Sequence, residues 1–429
     1  MDDHYTGTTA NVFGRRRPIL LGHFPVTLRP TRDTHFRDLP APTGAAPFRL
    51  PLDHVLDAAD MATITAQKRL TFHLNGDTGG IKDAMPQQLV AKGMEKSFDS
   101  AADAAHNPAF MYITGDCVYF NGEVKEYYAQ FYQPYEFYPR PIFAVAGNHD
   151  GENVPTENTL DGFMRNFCAP KPVKMPEAQD SLRTAMIQPN VYWTLTSPLM
   201  NIVGLYSNVP EGGEIRSPQT EWFIEELRTL PTDVPLLVAM HHPVYSADDH
   251  HSGSKYILDT IEHAASVSGR FPDMLLAGHV HNYQRISRTD ANGKVTPCIV
   301  TGAGGYHNLH HVIKVNHQAM VPPVIMDRTG GVSVTLESYT DDHHGFLVMS
   351  ITPDLIVGDY YQVPRPQEPY SKGNQLTDHW EFDWRNKAWK VNDLSGTGSS
   401  IDPAPPVALP PHDGTQGHPR SHHKKVPTA

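Results

Sequence analysis

The sequence of 429 residues predicts an α/β domain in which helices pack against β-sheets. Short apolar runs of strand length recur between residues 69 and 301, and most end in glycine or a polar cluster. Segments with apolar residues at helical spacing lie between several of these runs. This alternation of strands and helices is typical of sheets covered by helices.

Seven apolar runs are predicted as strands, at 69–75, 109–114, 141–146, 201–206, 235–240, 273–277 and 298–301. Helices are predicted at 87–105, 217–230 and 255–267. Ser217 stands where the N-cap of the second helix is expected. Further along, 330–340 and 345–363 alternate like antiparallel strands, with Pro353-Asp354 as turn residues.

Composition suggests four regions of the chain. Residues 1–65 are rich in Pro, Arg and Thr and are predicted as an irregular arm. Residues 66–365 carry the α/β pattern and are predicted to form the main domain, and 366–393 form a polar and aromatic C-terminal extension. Residues 394–429 are rich in Ser, Gly, Pro and His, and disorder is predicted for them.

The net charge of −12 argues against binding to nucleic acid or to an anionic membrane surface. It leaves room for a small phosphorylated substrate, because a bound cation reverses the local field. Cys117, Cys168 and Cys298 are widely spaced and odd in number, so we expect reduced thiols.

Two observations bear on the cellular compartment of the protein. No apolar run approaches membrane-spanning length. Arg15–Arg17 precede too few apolar residues for a visible secretory signal. The expectation is a cytoplasmic protein, with a periplasmic or secreted one as the alternative if a leader is missing.

Polar residues cluster where five of the predicted strands end, which is where ligands bind in open α/β sheets. In chain order the clusters are Asp77; Asp116 and Tyr119; Asn148, His149 and Asp150; His241 and His242; and His279 and His281. A lone Gly-Asp is most often a turn, and a lone Asn-His-Asp is most often a cap. Five clusters that all carry oxygen or nitrogen donors for metals instead indicate a single site.

Carboxylates, a carboxamide, a phenol and imidazoles are hard or borderline donors. They suit two close cations such as Fe, Zn or Mn better than ions that prefer thiolate. A two-metal site needs a bridging carboxylate and separate ligands for each ion, roughly 3.5–4 Å apart. Such a pair neutralises phosphate charge, orients in-line attack and lowers the pKa of a bound water so that hydroxide is available.

The ordered series GD, GDxxY, GNHD, HHP and GHxH over residues 76–281 resembles the calcineurin-like metallophosphoesterases. Tyr119, three positions after Asp116, makes the chain similar to the purple acid phosphatases within that superfamily. The resemblance implies a four-layer αβ/βα sandwich of two mixed β-sheets flanked by helices. Segment 151–200 and the chain after 365 match no part of that pattern.

The resemblance also implies the role of each metal-ligating residue. Asp77, Tyr119 and His281 would hold the first metal, expected to be Fe(III), and Asp116 would bridge. Asn148, His241 and His279 would hold Fe(II), Zn or Mn as the second. His241 is preferred to His242 because the family ligand precedes proline by two.

Three further residues are candidates for catalysis. His149 would bind a phosphoryl oxygen or protonate the leaving alcohol, and Asp150 is a carboxylate that could hydrogen-bond it. The alternative is that His149 only orients Asp150. His250, with His251 beside it, would face the substrate as in the family; a solvated loop is the alternative.

Three other features of the sequence are not assigned to the metal site. Arg285 would position phosphate or form a surface salt bridge, and residues 341–344 are predicted to be solvated. The run TGAGGYHN at 301–308 lacks the spacing of a dinucleotide site.

The leading functional hypothesis is a binuclear phosphatase that hydrolyses phosphate monoesters with metal-activated hydroxide. A phosphodiesterase with the same ligands is the first alternative, and a metal- or phosphate-binding protein without turnover is the second. The natural substrate and the oligomeric state stay open.

Overall fold

The computed structural model describes residues 26–27, 35–152, 157–315 and 317–392. Within these residues two mixed β-sheets of nine and seven strands form the body of the fold, with helices against them. The predicted α/β sandwich is therefore confirmed. No helix in this described part is both long and apolar enough to cross a membrane.

The helices are α1 (Ala58–Gln67), α2 (Met85–Lys96), α3 (Asp161–Phe167), α4 (Gln219–Thr229) and α5 (Lys255–Ser268). The strands are β1 (Val26–Thr27), β2 (Arg49–Pro51), β3 (Leu70–Asn75), β4 (Pro108–Ile113), β5 (Ile142–Ala144), β6 (Trp193–Thr196), β7 (Asn201–Gly204), β8 (Leu236–Ala239), β9 (Gly253–Ser254), β10 (Met274–Ala277), β11 (Tyr283–Thr289), β12 (Val295–Thr301), β13 (Val324–Thr329), β14 (Val332–Thr340), β15 (Gly345–Ile351), β16 (Leu355–Gln362), β17 (Gln375–Asp383) and β18 (Ala388–Val391).

The first sheet has the strand order β13-β14-β11-β12-β10-β8-β7-β6-β2, and its central strands β7, β8, β10 and β12 are parallel. The second has the order β18-β17-β16-β15-β3-β4-β5, and β3, β4 and β5 are parallel. β1 pairs with β9 in a separate ribbon.

Side-chain alternation explains why the central strands read as continuous apolar runs. In β8, Leu237 packs in the core between the two sheets, whereas Val238 faces α4 and α5. In β4, Phe110 and Tyr112 point into the same central core, whereas Met111 packs with residues of α2. Both faces of these strands are covered, so both faces are apolar, as in parallel sheets generally.

Strands of the two sheets also lie outside the predicted domain boundaries at 65 and 365. β2 joins the edge of the first sheet, and Ile64 of α1 lies in the central core, so residues 49–67 are not an irregular arm. α1 buries only Met61 and Ile64, too few to create a helical period in the sequence. β17 and β18 extend the second sheet. The predicted disordered tail lies outside the described residues.

Two helix predictions need correction at their ends. The helix predicted over 87–105 stops at Lys96. Beyond it, Asp99 accepts the amide of Ala101 and Asp103 accepts the amide of Ala105, so side chains compete with helical bonding. Ser217 is not the cap of α4, because its hydroxyl donates to Glu221 instead (2.6 Å). The three cysteines are buried and unpaired, in accord with reduced thiols.

Candidate metal centre

The site lies where the parallel strands of both sheets end. β3, β4 and β5 deliver Asp77, Asp116 and Asn148 from the second sheet, and β8 and β10 deliver His241 and His279 from the first. Hydrogen bonds join these edges, including bonds made by the site residues themselves. Nδ1 of His241 donates to the carbonyl of Thr114 (2.9 Å), and the amide of His279 donates to Asp77 Oδ2 (2.7 Å).

Asp77, Tyr119 and His281 form the first group of donors. The Tyr119 hydroxyl lies 3.1 Å from Asp77 Oδ1 and 3.3 Å from His281 Nε2. The same imidazole nitrogen lies 3.4 Å from Asp77 Oδ1. All three side chains are buried. Two oxygens and a nitrogen therefore converge on one point, as the sequence predicted.

Asn148, His241 and His279 form the second group. His241 Nε2 lies 2.9 Å from Asn148 Oδ1 and 3.2 Å from His279 Nδ1. His279 Nδ1 lies 3.2 Å from the same amide oxygen. Mutual separations near 3 Å among lone-pair donors are what ligands of one cation show.

Asp116 stands between the two groups. Its Oδ2 lies 3.3 Å from His241 Nε2. Donor atoms of Asp77, Asp116 and His241 all lie within 4.8 Å of one another. One carboxylate thus reaches both groups, which is the arrangement that a bridging ligand requires. The structure brings all seven predicted residues together, and their ligation of metal stays a prediction.

The backbone is held in uncommon conformations at three of the seven residues. Asp77, Asp116 and His279 have positive φ angles of 56°, 54° and 68°. Non-glycine residues adopt this region rarely, and such strain concentrates at functional sites. Gly147 allows the close approach of the loops, because a Cβ there would lie 1.9 Å from Asp116 Oδ1.

The charges in the centre favour a bound cation. Burial and the carboxylates of Asp116 and Asp77 raise the pKa of Tyr119 well above its ordinary value. Burial alone would lower the pKa of His241, but Asp116 and Asp77 raise it to about 9. Without a cation the phenol stays protonated and one imidazole takes up a proton. A metal supplies that positive charge directly, so the donor set fits one.

His149 lies beside the centre with its ring partly exposed. Its amide donates to Asp116 Oδ1 (3.0 Å), and its ring Nδ1 donates to the carbonyl of Phe120 (2.7 Å). Its ring packs 4.6 Å from that of Tyr119. The carbonyl of Phe120 orients the imidazole, and Nε2 becomes the nitrogen available to a substrate.

Asp150 has a different place from the one predicted. Its carboxylate is buried and accepts the amides of Cys117 (3.1 Å), Val118 (3.1 Å) and Gly147 (2.9 Å). It ties the loop after β4 to the loop after β5 and does not bond the ring of His149. The prediction of a catalytic Asp150 is therefore corrected to that of a positioning residue.

The loop after β8 carries the third catalytic candidate, His250. His250 is exposed, and its ring packs against His251 and His310. His251 lies beside the centre, with its ring 4.3 Å from that of His279. A catalytic role for His250 stays a prediction.

Sequence reasoning missed Glu211 and His310. Glu211 Oε1 lies 2.8 Å from His251 Nδ1 and 3.9 Å from His279 Nε2. The ring of His310 stacks on that of His281 at 4.2 Å. Both follow strands of the first sheet, but several residues after the strand end. A search limited to the residues directly after each strand does not find them.

Arg285 is neither a phosphate ligand nor a surface residue. Its guanidinium is buried and pairs with Asp378 through two bonds of 2.8 and 2.9 Å. The pair joins β11 of the first sheet to β17 of the second. His343 and His344 are likewise buried, not solvated as predicted. His242 turns away from Asn148 and bonds Ser207 Oγ (2.7 Å).

Comparison with known proteins agrees with this geometry. Residues 73–283 match the family model of the calcineurin-like phosphoesterases. This part of the chain is similar to that family and contains all seven predicted ligands.

Two curated relatives carry the name purple acid phosphatase. The chain is 30% identical to purple acid phosphatase 21 of Arabidopsis thaliana over 176 residues, 39% of this chain and 36% of that protein. It is 26% identical to a probable purple acid phosphatase 20 of the same plant over 176 residues, 39% of this chain and 38% of that one. The chain thus spans just over a third of the length of these curated relatives.

A purple acid phosphatase from yellow lupin (Lupinus luteus) seeds shares the fold. The TM-score is 0.52 at 16% identity, over 80% of this chain and 57% of that one. The common architecture is the pair of mixed sheets with helices against them.

Proposed function

We propose that the protein hydrolyses small phosphate monoesters with two cations held by the seven converging residues. The observation that carries the proposal is the pair of donor groups joined by Asp116. Two cations at such a centre would neutralise the phosphate charge and activate water as the nucleophile. The family match and the purple acid phosphatase relatives support a hydrolase of phosphoric esters.

The donors differ between the two groups, and so do the cations proposed for them. Asp77 and Tyr119 supply two oxygen donors that suit a hard trivalent ion, so we assign Fe(III) to the first group. His241 and His279 supply two nitrogens that suit Fe(II), Zn or Mn in the second.

His149 is the residue of this chain that we assign to the substrate. Its Nδ1 is bonded to Phe120, so Nε2 would donate to a phosphoryl oxygen or protonate the leaving alcohol. A positioned acid of this kind contributes about 10²–10⁴ to a rate.

A phosphodiesterase is the second candidate, and Glu211 favours it. This carboxylate lies 3.9 Å from His279 Nε2, on the side of the second group. It adds negative charge near an incoming phosphate. A diester carries one negative charge and a monoester up to two, so the repulsion is smaller for the diester.

The test is hydrolysis of an aryl phosphate monoester and an aryl phosphate diester by the full chain, loaded with Fe and either Zn or Mn. We expect faster turnover of the monoester. Asp116→Asn should abolish it, whereas Asp259→Asn, which alters an exposed residue of α5, should leave it unchanged. Bound metal without turnover of either ester would instead support a binding protein.

A further inference from the structure

Three histidines outside the seven-residue centre come together beside it. His250 and His251 belong to the loop after β8, and His310 belongs to the loop after β12. One ring nitrogen from each lies within 4.8 Å of the others. Histidines from two distant parts of the chain therefore lie next to one another. Only tertiary folding brings them together, because the two loops are far apart in the sequence.

Their spacing matches that of the proposed metal-binding histidines. The rings lie 4.8 Å apart for His250 and His251, 4.7 Å for His250 and His310, and 5.0 Å for His251 and His310. The rings of His241 and His279, in the second donor group, lie 5.0 Å apart. Three imidazoles at this spacing suit a borderline divalent cation such as Zn²⁺.

Two carboxylates contact these three histidines. Asp248 is buried, accepts the amides of His250 (2.9 Å) and His251 (2.7 Å), and lies 3.4 Å from His310 Nδ1. Glu211 Oε1 lies 2.8 Å from His251 Nδ1. Carboxylates behind metal-binding histidines fix the ring orientation and raise the basicity of the other nitrogen.

The two loops are also fixed to each other through their backbones. The amide of Asp249 donates to the carbonyl of His311, and the amide of Ile313 donates to the carbonyl of Ala247, both at 2.9 Å. The histidines are thus presented by paired segments, and little ordering would be required when a ligand binds.

We infer that His250, His251 and His310 bind a third cation, a borderline divalent ion of the Zn²⁺ class. The inference goes beyond the proposed function, because none of the three belongs to the seven residues assigned to the first two cations. The third site adjoins the pair, since His310 stacks on His281 and the ring of His251 lies 4.3 Å from that of His279.

The test is the zinc content per chain after chelator-treated full-length protein is dialysed to equilibrium against Zn²⁺. His250→Ala and His310→Ala should each hold one zinc fewer than the unmodified protein. His311→Ala is the matched control, because His311 lies in the same loop, is 52% exposed and pairs with Asp341. Zinc bound by the His-rich C-terminal segment is common to all four proteins and cancels in the difference.

Equal zinc content in all four proteins would overturn the inference. Should His310→Ala fail to fold, the exposed His250 still provides the comparison. Asp116→Asn separates this inference from the proposed function. Loss of zinc in Asp116→Asn reports on the two cations of the seven-residue centre, and loss of zinc in His250→Ala reports on the third site. If zinc is lost only in His250→Ala, the proposed two-cation centre is contradicted and the third site is supported.

Discussion

At the scale of single residues, the proposal that Tyr119 binds the first cation restricts the identity of that cation. Its hydroxyl lies 3.1 Å from Asp77 Oδ1, and burial with the nearby carboxylates raises its pKa well above the ordinary value. Only a strongly acidic cation would compete with a proton for this oxygen, so a phenolate ligand implies an ion such as Fe(III).

Tyr119→Phe should therefore remove a visible absorption band that arises from phenolate and Fe(III). The matched control is Tyr306→Phe, because the ring of Tyr306 packs 4.2 Å from that of Tyr119 and Tyr306 is not among the seven residues assigned to the cations. Absorption spectra of the three iron-loaded proteins check this. If the band survives in Tyr119→Phe, Tyr119 does not bind the first cation.

His149→Ala should lower kcat by about 10²–10⁴ while the metal content stays constant. The reason is that the His149 ring is held by Phe120, so its loss removes a proton donor without removing a ligand. Steady-state kinetics with metal analysis on the same samples check this. Unchanged kcat would exclude His149 from the reaction.

Glu211→Gln should shift selectivity toward the monoester, raising its kcat/KM relative to the diester roughly tenfold. The substitution removes a negative charge 3.9 Å from His279 Nε2 and keeps the shape of the side chain. The ratio of kcat/KM for the two aryl esters measures the effect. An unchanged ratio would mean that this carboxylate does not act on the bound phosphate.

At the scale of elements, the strand ends carry the site and the ion pair of Arg285 ties the sheets together. Apolar runs predicted β3, β4, β8 and β10, because these strands are covered on both faces. Segment 151–200 gave no such signal, because β6 alternates Trp193 and Leu195 with threonines instead of forming an apolar run, and α3 has only seven residues. Tertiary contacts, and not a period in the sequence, fix such elements.

Asp378→Asn should lower the free energy of unfolding by about 3–5 kcal/mol, because it leaves the buried guanidinium of Arg285 without its charge partner. Glu262→Gln is the control. It breaks a pair with Arg288 in which the glutamate is 44% exposed, and it should cost at most about 1 kcal/mol. Urea unfolding of the three metal-free proteins measures both. If both substitutions lower the free energy of unfolding by similar small amounts, the ion pair between β11 and β17 is not a main support of the fold.

At the scale of the whole molecule, the donors come from both sheets, so only the folded chain assembles the centre. The series of motifs pointed to all seven residues that converge, because each motif lies in the loop that follows a strand, and their ligation of metal stays a prediction. It missed Glu211 and His310, whose loops reach the centre only through tertiary folding. It misplaced Asp150, since a carboxylate that binds three amides looks in sequence like one that faces a substrate.

Metal removal should lower the thermal midpoint of the whole protein. A cation bound only by the folded state adds about 4 kcal/mol at a concentration one thousand times its Kd. Calorimetry with and without a chelator measures the difference. Asp116→Asn should respond less to the chelator than the unmodified protein, because it would hold fewer cations. An identical midpoint in both conditions would contradict a metal centre that links the two sheets.

The measurement that tests the central claim most directly is the hydrolysis of an aryl phosphate monoester before and after metal removal. We predict turnover by the metal-loaded full chain, loss of turnover after chelation and its return when the cations are restored. Asp116→Asn, treated in the same way, should stay inactive. Undiminished hydrolysis by the chelated protein, or no hydrolysis of either ester by the fully loaded one, would contradict the proposed two-cation phosphatase.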